Sequence, residues 1–186
     1  MGLRESKKQK TRAAISLLAT KLFIERGYDA VTTAEIAELA EVSVPTLFKY
    51  FPTKESLVFD EDSEREKFLV ETVQNCRKDQ TILDALLEAG LKELDTIQKL
   101  YTKETKAFMK LIRTTPQLAH YAQQLWLRHE KSLATAIQKE SKRKISDVEA
   151  HAVARFVLDA FHRSIEQTDP QSALKSLFKM LRDGWR

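Results

Sequence analysis

The amino-acid sequence predicts an all-α protein of about nine helices, and three observations support this prediction. Only four glycines and four prolines occur among the 186 residues, so few positions can stop a helix. Apolar residues recur at spacings of three and four in successive segments, which is the period of an α-helix. Ser, Thr and Asp residues stand before these segments at positions typical of helix N-caps.

The first helix is predicted over about residues 7 to 26. Its apolar face consists of Ile15, Leu18, Ala19 and Leu22. Gly27 follows as a residue that readily takes the left-handed conformation of a helix C-cap. The stretch from residue 4 to residue 12 holds five basic residues and one acidic residue. Such an arm can neutralise phosphates, or it can be a solvated, frayed terminus, and the sequence leaves both interpretations open.

Two short helices joined by a tight turn are predicted next, over about residues 33 to 40 and 44 to 50. Thr32 and Glu35 form a capping box before the first of them. Ser43 is the N-cap of the second, and Pro45 lies in its first turn, where a missing N–H costs nothing. The inward face of the first helix is predicted to be Ile36, Ala37, Leu39 and Ala40.

The second short helix has one buried face and one free face. Leu47 and Phe51 lie four residues apart and must face inward together. The residues turned toward solvent or a partner are Val44, Pro45, Thr46, Lys49 and Tyr50. This pattern is the layout of a helix-turn-helix.

Capping signals also mark the start of each later helix. Helix four is predicted over about residues 54 to 78, with Thr53 as its cap. The signals for helices five to nine are Thr81 with Asp84, Thr102, Thr115 with Pro116, Ser146 with Glu149, and Asp169 with Pro170. No flexible linker separates the two halves, so helix four is expected to connect a domain of residues 1 to 53 with a domain of residues 54 to 186.

Helix eight carries two apolar stripes instead of one. The first stripe consists of Ala154, Leu158, Phe161 and Ile165, and the second of Val153, Phe156, Val157 and Ala160. Helix nine adds Leu174, Leu177, Phe178, Leu181 and Trp185 on a single face. An apolar arc this broad needs two packing partners, such as the protein's own core and a second subunit. A wholly intramolecular bundle is the alternative.

Composition and motifs exclude several classes of protein. The single cysteine, Cys76, cannot form an intramolecular disulfide. No apolar stretch approaches the roughly 18 residues needed to span a bilayer, and the basic arm lacks the cleavage site of a signal peptide. Glycine-rich phosphate loops, Cys-x-x-Cys, HExxH and nucleophile elbows are all missing from the sequence, so no enzyme, metal site or cofactor is predicted.

The run LFIERGYDAVTTAEIAELAEVSVPTLFKYFPTKESLV, residues 22 to 58, closely resembles the DNA-binding domain of the tetracycline-repressor-like (TetR) family of bacterial transcriptional regulators. The matching positions are Leu22-Phe23, Gly27-Tyr28, Thr32-Thr33, Ile36-Ala37, Ala40, Val42-Ser43, Leu47, Tyr50-Phe51, Lys54-Glu55 and Leu57. Two positions depart from the family pattern. The turn carries Glu41 in place of glycine, and a tyrosine that often follows the helix-three leucine is Phe48 here.

The resemblance implies a set of DNA contacts. Thr33, Tyr50 and Lys54 match family positions that hold the sugar-phosphate backbone. Val44, Pro45, Thr46 and Lys49 project from the reading helix toward bases. Phe48 is expected to pack or to make an apolar contact with the DNA backbone. Lys49 is expected either to donate to guanine or to contact only phosphate, and the sequence does not choose between these roles.

The resemblance also implies a homodimer and a small-molecule pocket in the C-terminal domain. The predicted dimer contacts are Val153, Phe156, Val157, Ala160, Leu174, Leu177, Phe178 and Leu181. The candidate pocket residues are Phe68, Tyr101, Phe108, Met109, Trp126, His129 and His162. For each of these the sequence favours a place in the ordinary core over a place in a ligand pocket.

The expected function is therefore that of a homodimeric repressor in the bacterial cytoplasm, associated with the nucleoid and released from its double-stranded DNA operator by a small apolar ligand. An activator without an effector remains an alternative. A helical ligand-binding or partner-binding protein that no longer binds DNA specifically is another.

Overall fold

The computed structural model describes residues 3 to 60, 62 to 99, 103 to 165 and 167 to 184. Within those ranges the chain forms nine α-helices, a single 3-10 helix at Glu55–Leu57 and no strand, which confirms the all-α prediction. The α-helices are α1 Leu3–Arg26, α2 Thr33–Leu39, α3 Val44–Tyr50, α4 Asp62–Gln74, α5 Ile82–Lys99, α6 Lys103–Thr114, α7 Pro116–Glu140, α8 Asp147–Ile165 and α9 Pro170–Asp183. None of these helices has an apolar stretch long enough to cross a bilayer.

The chain divides into two compact units that alternate along the sequence. The first unit comprises Met1–Asp62 and Thr102–Gln123, and the second comprises Ser63–Tyr101 and Gln124–Arg186. The helix α6 and the beginning of α7 therefore belong with α1 to α3. No single cut along the chain separates the two units.

The first unit is held together by a core to which α6 and α7 contribute. Its largest fully buried side chains are Ile15, Phe23, Ile36, Leu47, Phe51, Leu57 and Leu118. Leu111 from α6 joins the same cluster, and α6 packs against α1. Leu39 was expected in this core but is 53% exposed. It lies two residues after the buried Ala37, about 200° around the helix, so both cannot face inward.

The ends of α1 to α3 follow the capping chemistry of the sequence, with two differences. α1 begins at Leu3, so the basic arm is part of a helix. Gly27 has a φ of 89°, as its position after the last turn requires. The Thr32 hydroxyl accepts from the Glu35 amide at 3.2 Å. The Glu35 carboxylate, predicted to complete a capping box, accepts instead from Arg26 at 2.5 Å.

Helix four was predicted to begin after Thr53, but α4 begins at Asp62. Thr53 and Ser56 bond reciprocally, each backbone amide donating to the other's hydroxyl at 3.2 Å, and this closes the 3-10 helix. The Leu57 carbonyl, which a continuous α-helix would use, accepts from the buried Ser16 hydroxyl at 2.7 Å. These side-chain bonds compete with the α-helical ladder and delay its start.

Later helix starts agree with the sequence. Thr81 accepts from the Asp84 amide at 3.1 Å before α5. Ser146 and Glu149 form the complete capping box of α8. Asp169 accepts from the Ser172 amide at 3.0 Å before α9. Thr102, the predicted start of helix six, lies outside the described residues.

The core of the second unit forms where α5 packs against α8 and α9. Gly90 of α5 faces the Phe161 ring so closely that a Cβ at this position would lie 1.8 Å from a ring carbon. Phe161 in turn meets Phe178 edge to face, with ring centroids 6.0 Å apart. The absence of a side chain at Gly90 therefore sets how near α5 approaches α8.

Candidate nucleic-acid interface

The turn between α2 and α3 is a Schellman motif built without glycine. Glu41 has a φ of 54°, in the left-handed region. Its amide bonds the Glu38 carbonyl at 3.0 Å, and the Val42 amide bonds the Ala37 carbonyl at 2.9 Å. Val42 then packs against the core of the first unit. These two bonds fix the direction in which the chain enters α3.

The N-terminal end of α3 is fixed by its cap. The Ser43 hydroxyl accepts from the Thr46 amide at 3.2 Å. Ser43 and Thr46 also share a hydroxyl-to-hydroxyl bond of 2.8 Å, so the Thr46 side chain is already engaged. Pro45 lies in the first turn as the sequence predicts. A seven-residue helix is marginal by itself, so these contacts matter for its geometry.

The outward face of α3 carries both apolar and basic side chains. Leu47 and Phe51 are fully buried in the core of the first unit. Val44, Pro45, Phe48 and Lys49 are exposed, and the Thr46 side chain is half-buried. Phe48 is 41% exposed, so an apolar ring stands beside Lys49 on the free surface. Such a face offers methyl and ring contacts together with one cation.

The three side chains expected at the phosphate backbone differ in their surroundings. Thr33 is half-buried at the first position of α2. Tyr50 packs partly against the core. The Lys54 ammonium donates to the Tyr28 carbonyl at 2.6 Å and lies 4.2 Å from the centroid of the Tyr28 ring. Lys54 is thus directed inward, although the sequence predicted that it reaches DNA.

A small polar network surrounds Lys54. The Tyr28 hydroxyl donates to Glu55 at 2.8 Å. Burial lowers the pKa of Lys54, while burial and the hydrogen bond that the phenol donates to Glu55 raise the pKa of Tyr28. The network ties the loop before α2 to the segment after α3. Lys54 therefore helps to fix the conformation of the helix-turn-helix, independently of any contact with phosphate.

The basic residues near the N-terminus fall into two groups. Lys7, Lys8 and Lys10 are exposed on α1. Arg12 instead points into the first unit, where it bonds the Tyr50 carbonyl at 2.5 Å and pairs with Asp60. Only the exposed group has the freedom that phosphate contact requires. Arg12 was predicted to be part of the basic arm, because the spacing of residues in the sequence does not reveal its partners.

The predicted pocket residues are divided between the two units. Trp126 and His162 meet edge to face with ring centroids 5.6 Å apart, although His162 is exposed. His129 is buried in the second unit, whereas Phe68 is 43% exposed. In the first unit, Phe108 packs against the core and Met109 is half-buried on α6. Tyr101 lies outside the described residues.

The predicted dimer contacts divide into two classes. Val157, Ala160, Leu174 and Phe178 are buried in the core of the second unit and offer no surface to another chain. Their assignment to an interface is corrected, because the core of α5, α8 and α9 occupies that side of both helices. The residues that retain surface are Val153, Phe156, Leu177 and Leu181. Met180, three residues after Leu177, is 37% exposed and was not among the residues that the sequence predicted for this surface.

Comparison with known proteins places the helix-turn-helix in a defined group. Residues 17 to 60 match the family model described as bacterial regulatory proteins, tetR family. The HTH-type transcriptional regulator YvkB of Bacillus subtilis is 27% identical over 150 residues, which cover 77% of this chain and 79% of that protein. This similarity extends well beyond the helix-turn-helix.

Two solved structures share the fold of the chain. NalD of Pseudomonas aeruginosa, the secondary repressor of the MexAB-OprM multidrug efflux pump, has a TM-score of 0.63 at 18% identity, covering 95% of this chain and 97% of its own. FadR of Thermus thermophilus, a transcriptional repressor in complex with lauroyl-CoA, has a TM-score of 0.57 at 22% identity and covers 94% and 95%. At these identities the similarity demonstrates a common fold.

Proposed function

Because the chain belongs to the tetR family of bacterial regulatory proteins, we propose that it is a homodimeric repressor that acts on operator DNA in the bacterial cytoplasm, at the nucleoid. The observation that carries the proposal is the face of α3, on which Val44, Pro45, Phe48 and Lys49 are exposed above a fully buried Leu47. A helix capped at its start and anchored on one side is suited to enter a major groove.

The contacts proposed for DNA follow from these exposures. Val44, Pro45 and Phe48 supply apolar contacts to thymine methyl groups or to the sugar backbone, and Lys49 supplies the charge. Thr33 and Tyr50 are proposed to make the positioning contacts to phosphate. The exposed lysines near the start of α1, Lys7, Lys8 and Lys10, add non-specific attraction that weakens as salt rises.

The dimer is proposed to form through the free apolar surface of α8 and α9. Val153 and Phe156 of α8, together with Leu177, Met180 and Leu181 of α9, retain surface that the core of the second unit leaves uncovered. A two-fold pair of such surfaces presents two reading helices to two half-sites, about one turn of DNA apart.

Release by a small apolar ligand is supported by relatives. FadR of Thermus thermophilus was solved with lauroyl-CoA, and FadR of Bacillus subtilis with stearoyl-CoA. Half-buried Trp126 beside His162 in the second unit provides an aromatic contact suitable for an acyl chain. A ligand releases DNA only if it binds the non-binding form of the protein more tightly.

The DNA-binding claim is tested by selection from random duplexes with the purified full-length protein. We expect enrichment of one two-fold-symmetric sequence, bound with an affinity that falls steeply as salt rises. Lys49→Ala separates its two possible roles. Loss of preference at one base position indicates base reading, whereas uniform weakening with a salt slope smaller by about one indicates phosphate contact.

Lys21→Ala is the matched control, because Lys21 is an exposed lysine on α1 whose nearest acidic partner is Glu25. It should change neither sequence preference nor salt slope. Equal binding of the wild-type protein to every duplex would overturn the proposal and favour a helical binding protein without a DNA target.

The dimer is tested by sedimentation equilibrium. Met180→Glu places a charge on the exposed surface of α9 and should weaken self-association at least about tenfold, because an unpaired charge would be desolvated. Lys175→Glu, at another exposed position of α9, should have little effect. A wild-type protein that stays monomeric at the concentrations used for DNA binding would contradict the homodimer.

Ligand release is tested by adding lauroyl-CoA to the complex of the protein with its selected duplex. We expect lauroyl-CoA to dissociate the complex and to raise the midpoint of thermal unfolding, and free coenzyme A to do neither. No effect of lauroyl-CoA on either measurement would contradict an acyl chain as the effector and leave the DNA-binding proposal intact.

A further inference from the structure

Arg12 makes three contacts that converge on the end of the reading helix. Its Nη1 donates to the Tyr50 carbonyl at 2.5 Å, and its Nε donates to the Asp60 carboxylate. The guanidinium carbon lies 4.5 Å from the centroid of the Phe51 ring. A planar guanidinium can bond two acceptors and stack on a ring at once, which a lysine cannot do.

The Tyr50 carbonyl belongs to the last residue of α3. Carbonyls in the final turn of a helix have no partner within the helix, and a cation beside them is also attracted to the negative end of the helix dipole. Arg12 therefore acts as a C-terminal cap supplied by a different helix. With Ser43 at the other end, both termini of this seven-residue helix are held by side chains.

Ser16 extends the same contact along α1. It lies four residues after Arg12, on the same face of the helix, and its hydroxyl bonds the Leu57 carbonyl at 2.7 Å. Together Arg12 and Ser16 attach α1 to the segment from Tyr50 to Asp60. Because Ser16 is buried and Leu57 is fully buried, this attachment has little freedom to shift.

We propose that Arg12 and Asp60 form a positioning pair that sets the pose of α3 for operator recognition, and that Arg12 does not act as a phosphate contact. This inference rests on the proposed DNA-binding function. The pair concerns specific binding in particular, because only base reading requires the side chains of α3 to be placed accurately.

Asp60→Asn tests the pair because the two explanations predict opposite results. If Asp60 were only a surface acid, its loss would leave DNA affinity unchanged or raise it, since a negative charge has been removed. If Asp60 holds Arg12 in place, affinity for the selected duplex should fall about tenfold, while affinity for a scrambled duplex is unchanged. The salt slope should keep its wild-type value.

Glu38→Gln is the matched control for charge. Glu38 is exposed on α2 in the same unit, and its substitution changes the net charge by the same amount. It should bind the selected duplex at least as tightly as the wild type does.

Arg12→Gln and Lys10→Gln complete the test by removing one cation each. Arg12→Gln should lower the ratio of specific to non-specific affinity about tenfold and leave the salt slope unchanged. Lys10→Gln should lower the slope by up to about one if it contacts phosphate and should leave that ratio near its wild-type value. Binding is measured well below each variant's unfolding midpoint, so loss of folded protein cannot imitate the effect.

A wild-type protein with no selective complex would contradict the proposed function itself. A selective wild type whose Asp60→Asn variant keeps full specificity would contradict the positioning pair alone. A reduced salt slope in Arg12→Gln would likewise overturn it by showing a phosphate contact.

Discussion

Glu41 adopts a backbone conformation that glycine takes without strain. A φ of 54° in a residue with a Cβ costs on the order of 1 kcal/mol, yet the turn needs this conformation for both of its hydrogen bonds. The resemblance to a family that has glycine here made the strain predictable from sequence. The inward direction of Lys54 and Arg12 was not predictable, because their partners are set by tertiary packing.

Substituting Glu41→Gly is expected to stabilise the protein. Relief of the strain should exceed the added entropy of the unfolded chain and raise the free energy of unfolding by about 0.5 kcal/mol. Glu38→Gly, three residues earlier within α2, should lower it by about 1 kcal/mol because its backbone is helical. Urea unfolding measures both, and destabilisation by Glu41→Gly would contradict the strain.

His129 is expected to make the protein sensitive to acid. Burial lowers its pKa to about 4, with further contributions from Arg65 and Arg128 that outweigh Glu66. Between the ordinary pKa of 6.5 and about 4, only the unfolded chain binds the proton. Stability contributed by neutral His129 is therefore complete above pH 6.5 and is lost as the pH falls toward 4, by at most about 1.4 kcal/mol per pH unit.

The measurement is urea unfolding at pH 7 and at pH 5. His129→Met should show a smaller loss of stability between these values than the wild type does, because no imidazole remains to bind a proton. His120→Gln, at an exposed position on α7, should keep the wild-type difference. Equal pH dependence in the His129→Met variant and the wild type would refute the role of His129.

Among the helices, local capping chemistry was a good guide to where each one starts. Ser43, Thr81, Ser146 and Asp169 all cap as the sequence predicts, because a cap needs only a side chain and an amide three residues on. The start of α4 was wrong for a different reason. There the Leu57 carbonyl bonds Ser16, forty-one residues earlier, and no local pattern reveals that bond.

Gly90→Ala is expected to destabilise the second unit. A Cβ would overlap the Phe161 ring, and the cost of moving that ring should exceed the gain in helix propensity, giving a net loss of about 2 kcal/mol. The same Gly90→Ala change should lower the free energy of unfolding by less in a Phe161→Leu background than in the wild type, because the ring is gone. Urea unfolding of the wild type, the two single variants and the double variant measures this difference. Additive effects of the two changes would show that the contact is not the cause.

The whole molecule combines segments that are distant in sequence. Helical content and the helix-turn-helix were predictable, since both depend on short-range patterns. The division into units was not, because α6 and the beginning of α7 join the first core through Leu111 and Leu118. Nothing in the spacing of those leucines distinguishes this core from the other. For the same reason, half of the expected dimer contacts proved to be core residues.

Leu118→Ala should therefore weaken α1 to α3, although it lies more than sixty residues beyond them. Removing this fully buried side chain should cost about 3 kcal/mol, and amide hydrogen exchange in α1 to α3 should become faster. Leu127→Ala, on the same helix but 52% exposed, should change exchange in α1 to α3 very little. Unchanged protection in Leu118→Ala would contradict a shared core.

The alternating arrangement of the two units limits how this protein can be recombined. A chimera joined near residue 53 would pair its helix-turn-helix with a foreign α6 and a foreign start of α7, whose side chains would replace Leu111 and Leu118 in the core that holds Phe23 and Phe51. A transplant that keeps operator choice intact must also carry residues 102 to 123, the second segment of the first unit. Gene exchange that transfers only the N-terminal segment would thus be selected against unless the donor's α6 fits.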